Sequence, residues 1–201
     1  MFEVIESLKK KRQTLRVVPG NSVCVLKMPI HLANECTIRS PGFFGEFGLI
    51  ERVVIKPIPP SRVRRISTAT VYIRYHNKED GIKAVALGST KWPNMEIRFG
   101  AMRYCNAFLD NMRCKNELCN YWHCLENEEA HFSVQELNKG KNSWYGKKLI
   151  AEYFQKLEMR KKQEAMIDVN DSAAYEDYFK LGLVIPWWLQ KRVWKNNIKK
   201  G

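Results

Sequence analysis

Three cysteines and one histidine stand within 19 residues, as Cys105-x8-Cys114-x4-Cys119-x3-His123. No other feature limits so tightly what this chain can fold into. Thiolates and imidazole are ligands for Zn2+, which binds four of them tetrahedrally, and a Cys3His set closes that shell. A closed shell leaves no position for a reactive water, so one structural zinc ion is expected. Much of its apparent binding free energy, roughly 10–16 kcal/mol in finger peptides, becomes folding free energy. That matters because a segment this short has almost no apolar core. Cys124 adjoins His123 and His131 lies nearby, which leaves the fourth ligand open; spacing favours His123. Buried free thiols beside an unrelated histidine are the plainer alternative, and the density of donors weighs against it.

The six cysteines act as ligands and free thiols only in a reducing compartment. The N-terminus does not read as a secretory leader. Phe2, Val4, Ile5 and Leu8 alternate with Glu3 and Glu6, and Lys9-Lys10-Lys11-Arg12 follow. The longest apolar run, Leu181 to Leu189, is broken by Pro186, whereas a spanning helix needs roughly 20 apolar residues. The expectation is a cytoplasmic protein with no membrane partner. Lys and Arg number 34 against 21 Asp and Glu, a net charge of +13. Such an excess concerns partners rather than fold, and it favours a polyanion.

The chain divides into a basic helical lead-in (1–19), an α/β segment (20–101), the cysteine-rich segment (102–125), and a helix with an aromatic and basic tail (126–201). The second segment reads as β-α-β-β-α-β. Val23 to Leu26 is a short apolar strand, and 31–44 is helical in part. Ile50 to Ile58 and Thr68 to Tyr75 are rich in β-branched and aromatic residues. Lys78 to Leu87 has helical spacing, and Met95 to Phe99 closes the set. The expected class is α+β, with a four-stranded sheet backed by two helices in a ferredoxin-like order. Another small α+β sandwich would share that order.

Phe44-Gly45-Glu46-Phe47-Gly48-Leu49-Ile50 resembles the turn after the first helix of an RNA recognition motif. Such domains stack bases on aromatics of the two central strands. Here the usual stacking positions fall on Thr70, Tyr72 and Cys24, and only Tyr72 is aromatic. The cysteine segment in turn has the ligand order of a CCCH zinc finger. Together the two resemble the RNA-binding half of the RING-bearing ubiquitin ligase family of the deadenylase complex, that complex's fourth Not subunit. Arg16-Val17-Val18 through Phe44 to Gly48 is similar to the start of that family's RNA recognition motif. Tyr104-Cys105-Asn106-Ala107-Phe108-Leu109-Asp110-Asn111-Met112-Arg113-Cys114 is similar to the start of its finger. The likeness covers roughly residues 15–158. A RING needs eight zinc ligands, and only Cys24 and Cys36 precede residue 105 among the cysteines. Ubiquitin transfer is therefore not carried over.

The finger resemblance makes Phe108, Tyr121 and Trp122 candidate base-stacking residues, with Arg113 as a phosphate contact; packing around the metal is the alternative for each. Tyr104 is expected to pack. Residues 144–164 read as a helix with Leu149, Ile150, Tyr153, Phe154 and Leu157 on one broad face. In the tail, Trp187, Trp188 and Trp194 are interleaved with Lys191, Arg192 and Lys195. That pattern suits stacking plus phosphate neutralisation; an anchor for a protein groove or a membrane-surface helix would share it. Lys9, Lys10, Lys11 and Arg12 form a second basic cluster.

No GxxxxGK[ST], HExxH or GxSxG motif is present. No catalytic residue and no small-molecule substrate are assigned, and the expectation is a binding protein rather than an enzyme. Basic termini of a small protein become ordered when a large partner holds them. The first functional expectation is therefore a ribosome-bound factor, gripping ribosomal RNA among ribosomal proteins and acting by occupancy, as an inhibitory or dormancy factor. The second is a sequence-specific mRNA-binding adaptor for deadenylation and mRNA turnover. The third is a protein-interaction module.

Overall fold

The computed structural model describes residues 2–11, 14–60 and 66–168. Two compact units divide the chain, Met1–Tyr153 and Phe154–Gly201. The first is α+β with antiparallel sheets; of the second, only helix to Asp168 is described. The elements run α1 (Phe2–Lys10), β1 (Leu15–Val17), β2 (Ser22–Pro29), α2 (Glu35–Arg39), β3 (Ile50–Ile58) and β4 (Thr68–Tyr75). They continue with α3 (Lys78–Lys91), β5 (Glu96–Phe99), α4 (Asn106–Leu109), β6 (His131–Ser133), α5 (Val134–Asn138) and α6 (Ser143–Asp168).

The main sheet has strand order β3-β4-β2-β5, every pair antiparallel. Strict alternation in β4 separates its two faces. Ala69, Val71, Ile73 and Tyr75 are essentially inaccessible and, with Val23 and Val25 of β2, form the covered face. Helix α3 packs on β2, β4 and β5, and α2 reaches β3. The opposite face carries Arg52, Val54 and Lys56 of β3, Thr70, Tyr72 and Arg74 of β4, Ser22 and Cys24 of β2, and Arg98 of β5. The register sets Arg52 opposite Arg74, and Cys24 between Tyr72 and Arg98.

Strand β2 extends past the apolar Val23–Leu26 run because its register shifts between Val25 and Met28. Lys27 adopts φ 60° there, and the shift returns Met28 to the core with no exposure. Within 31–44 the α-helix is confined to Glu35–Arg39. Asn34 caps it, accepting from the Thr37 N–H at 2.8 Å, and Pro41 follows its end. Helix α3 runs to Lys91 and stops at Trp92, the residue before Pro93.

The segment between α2 and β3 folds into an aromatic wedge. Phe44 is fully buried, with Phe43 and Trp92 ring centroids each 4.7 Å away, and the Tyr75 hydroxyl donates to its carbonyl at 2.9 Å. Gly45 and Gly48 are required here. A Cβ on Gly45 would lie 2.1 Å from the Arg39 carbonyl oxygen, and Gly48 has φ +154° against the Asp80 side chain.

A second sheet pairs β1 with β6, with Arg16 opposite Phe132. Val17 also exchanges two 2.8 Å backbone hydrogen bonds with Met102. The chain on both sides of the cysteine segment is thereby tied to residues 15–18. A capping box starts α5: the Ser133 hydroxyl oxygen accepts from the Glu136 N–H at 3.2 Å, and the Glu136 carboxylate accepts from the Ser133 N–H at 3.0 Å. Ser133→Ala is expected to cost about 1 kcal/mol, read as a lower urea midpoint at unchanged m-value. An unshifted midpoint would show that this junction adds nothing to global stability.

Helix α6 buries Tyr145, Leu149 and Tyr153, a stripe at i, i+4 and i+8. The expected face was broader. Ile150 and Leu157 are half-buried and Phe154 is 41 % exposed, because one helix contact covers a single row. Among the described residues, no helix is long and apolar enough to cross a membrane.

Candidate metal centre

The cysteine segment has little regular structure, and its geometry comes from turns. Cys105 directly precedes the single helical turn α4, and Asn111, at φ 55°, reverses the chain after it. The Asn116 side-chain oxygen accepts from the Leu118 N–H, and its carbonyl accepts from the Cys119 N–H. At the far end Trp122 returns to the start. Its N–H donates to the Arg103 carbonyl at 2.8 Å, and its carbonyl accepts from the Cys105 N–H at 3.0 Å. The two ends of the segment are thus zipped together, and His123 is delivered beside Cys105.

Ligand atoms of Cys105, Cys114, Cys119 and His123 all lie within 4.8 Å of one another. A tetrahedral zinc with bonds of about 2.3 Å to sulfur has edges of about 3.8 Å, so the cluster is near the required size. The donor set, three thiols and an imidazole, suits zinc among the common divalent ions. His123 Nε2 is buried with no hydrogen-bond partner, a costly state for a polar atom in an interior. Burial raises the thiol of Cys105, but backbone N–H groups of Phe108 and Ala107 and the neighbouring thiols more than offset it, and the net shift is downward. Burial raises Cys119, as do Cys114 and Cys105. The cluster can therefore hold one metal ion on residues of this chain alone.

The two alternatives to His123, His131 and Cys124, lie outside the cluster. His131 stacks on Tyr104 with centroids 5.7 Å apart, and its Nε2 meets the Tyr104 hydroxyl at 2.8 Å. Burial lowers its pKa, which favours the neutral imidazole. Burial pushes the Tyr104 phenol up to about 12. Cys124 is exposed and outside the cluster. Tyr104 is a packing residue, as expected.

Aromatics of the cysteine segment occupy different situations. Phe108 is half-buried, stacked on Tyr104 at 6.0 Å and edge-on to His123 at 6.3 Å. Trp122 is half-buried, and its indole N–H is inaccessible without a partner. Tyr121 is 47 % exposed and Arg113 is exposed. On the sheet, Tyr72 is half-buried beneath the Lys56 ammonium, 5.1 Å from its ring centroid. Lys9 pairs with Glu6 at 3.0 Å, while Lys10 and Lys11 are exposed. Arg12, Trp187, Trp188, Lys191, Arg192, Trp194 and Lys195 lie outside the described residues.

The structure brings forward cations that the motif analysis passed over. Arg52 and Lys56 share the open face of the sheet with Arg74. Arg52 Nη1 donates to the Leu118 carbonyl and the Asn120 side-chain oxygen, joining β3 to the cysteine segment. The signal was present as the alternation Arg52-Val53-Val54-Ile55-Lys56, which places both cations on one face of a strand.

A small α+β protein with a Cys3His cluster able to hold one metal ion is the class these features define. No family model matches the chain. It is 30% identical over 141 residues to a Schizosaccharomyces pombe protein named as a general negative regulator of transcription, covering 67% of this chain and 29% of that protein. It is 24% identical over 144 residues to general negative regulator of transcription subunit 4 of Saccharomyces cerevisiae, covering 65% of this chain and 24% of that protein. The chain thus has homologues among these regulators at modest identity, and it spans less than a third of their length.

Proposed function

We propose that this protein is a zinc-stabilised, single-strand RNA-binding adaptor acting in mRNA regulation, and that it is not an enzyme. One observation carries the reading: a basic sheet face with an aromatic residue at its centre stands beside a Cys3His cluster and is hydrogen-bonded to it through Arg52. The sheet order and the two helices fit an RNA recognition motif, and the donor set fits zinc. The relatives are named for negative regulation of transcription. Their names, with the resemblance to the fourth Not subunit, support an mRNA or deadenylase-complex partner.

The ribosome-bound reading is set aside. It rests on the two basic ends, and Arg12 with the whole 187–195 cluster lies outside the described residues. The relatives' names speak of gene regulation and not of a ribosomal particle.

Crosslinking in cells, with sequencing of the attached RNA, tests the choice. The adaptor predicts reads over mRNA untranslated regions sharing a short motif. Reads confined to a few ribosomal RNA sites would reinstate the ribosomal factor, and no crosslinked RNA would leave a protein-interaction module. In vitro, about six phosphate contacts on a single strand predict that log K falls against log salt with a slope of about −4. Fluorescence anisotropy with a labelled single-stranded RNA pool measures it; a flat dependence is incompatible with phosphate-driven binding.

A further inference from the structure

A groove of about 240 Å³ lies where the open face of the sheet meets the finger, within the first unit. Arg52, Lys56, Tyr72 and Arg74 line it from the sheet, and Arg103 and Tyr121 from the cysteine segment. Among the described residues no carboxylate lines it. Arg74 is paired with Glu51 at 2.9 Å, but among the described residues neither Lys56 nor Arg103 forms an ion pair. Four cations and two phenol rings therefore converge on one small concavity, and they come from segments about fifty residues apart in the chain.

We infer that this groove is a composite subsite for one nucleotide of a single-stranded RNA, built jointly by the sheet and the finger. The inference rests on the RNA-binding reading above and adds where and how the strand is held. Each chemical part of a nucleotide has a counterpart. Tyr72 and Tyr121 offer ring faces for the base, and stacking on aromatics tolerates every base. Lys56 and Arg103 offer unpaired charge to a phosphate. Asn120, held by Arg52, offers a side-chain amide to a base edge.

Composite construction also answers a difficulty of the sheet alone. With Thr70 and Cys24 at two of the three usual stacking positions, Tyr72 by itself is a poor platform. The finger supplies a second ring from outside the sheet. Arg52 sets the geometry by holding the Leu118 carbonyl and the Asn120 side chain, so it acts as a positioning residue.

A double-mutant cycle on the zinc-loaded full chain tests this, using a fluorescein-labelled randomised 12-nucleotide RNA pool. Tyr72→Ala and Tyr121→Ala are each expected to weaken binding roughly 5- to 150-fold. Because both rings serve one base, the double variant should lose clearly less than the product of the two single losses. Arg103→Ala, an exposed change safe for folding, should weaken binding and reduce the salt slope by about 0.7, whereas Lys139→Ala, just past the end of α5, should do neither. Strictly multiplicative losses, or an Arg103 effect no larger than that of Lys139, would overturn the composite subsite while leaving RNA binding standing. No binding by the unaltered protein would overturn the functional reading and this inference with it.

Discussion

Cys119→Ser is expected to abolish stoichiometric zinc and to unfold the segment between Arg103 and Cys124. Cys119 is buried, and its loss leaves three ligands for an ion that prefers four. The segment has one helical turn and few buried apolar side chains, chiefly Leu109 and Tyr104. Metal binding of roughly 10–16 kcal/mol in comparable finger peptides therefore far exceeds what its own packing supplies. Elemental analysis should fall from one zinc per chain to near zero, and amide exchange across 105–123 should become fast. The main sheet should keep its protection, because its core lies on the opposite, helix-covered face. Retention of one tightly bound zinc would show that Cys119 is not a ligand. Collapse of sheet protection would show that the β1–β6 sheet and the Val17–Met102 pairing are more deeply coupled to the sheet core than their short length suggests.

Phe44→Ala should produce the largest loss of stability outside the metal site, about 3–5 kcal/mol. The ring is inaccessible and packed among Phe43, Phe47 and Trp92. Relaxation into the void is limited, since Gly45 is pressed against the Arg39 carbonyl and the Tyr75 hydroxyl is tied to the Phe44 backbone. Against the 5–15 kcal/mol typical of a domain, such a loss leaves little margin. Chemical denaturation in the zinc-loaded state checks it. A change under 1 kcal/mol would mean that the aromatic wedge is loosely packed.

Legibility followed how local each signal was. Strands β3 and β4 match the β-branched runs Ile50–Ile58 and Thr68–Tyr75, since strand preference is carried by the residue types themselves. The 31–44 region was less readable. Its helix is only five residues long, set by the Asn34 cap and by Pro41 after its end. The β1–β6 sheet gave no readable sign, because three-residue strands carry no periodicity and pair across more than a hundred residues of chain. Arg52 escaped notice for a related reason. A cation on a strand has no motif; its importance comes from the Leu118 carbonyl and Asn120 meeting it in space.

The amino-acid sequence by itself determined the three cysteines of the candidate cluster, the principal strands and the basic character. Each depends on residue identity and short spacing, and neither ligand chemistry nor strand alternation needs long-range information. Only the tertiary structure decided that His131 belongs to Tyr104 while His123 joins the three cysteines, and that the sheet and the cysteine segment share a groove. Those outcomes depend on which buried polar atom finds a partner and on which cations converge. Both are settled by contacts between residues far apart in the chain.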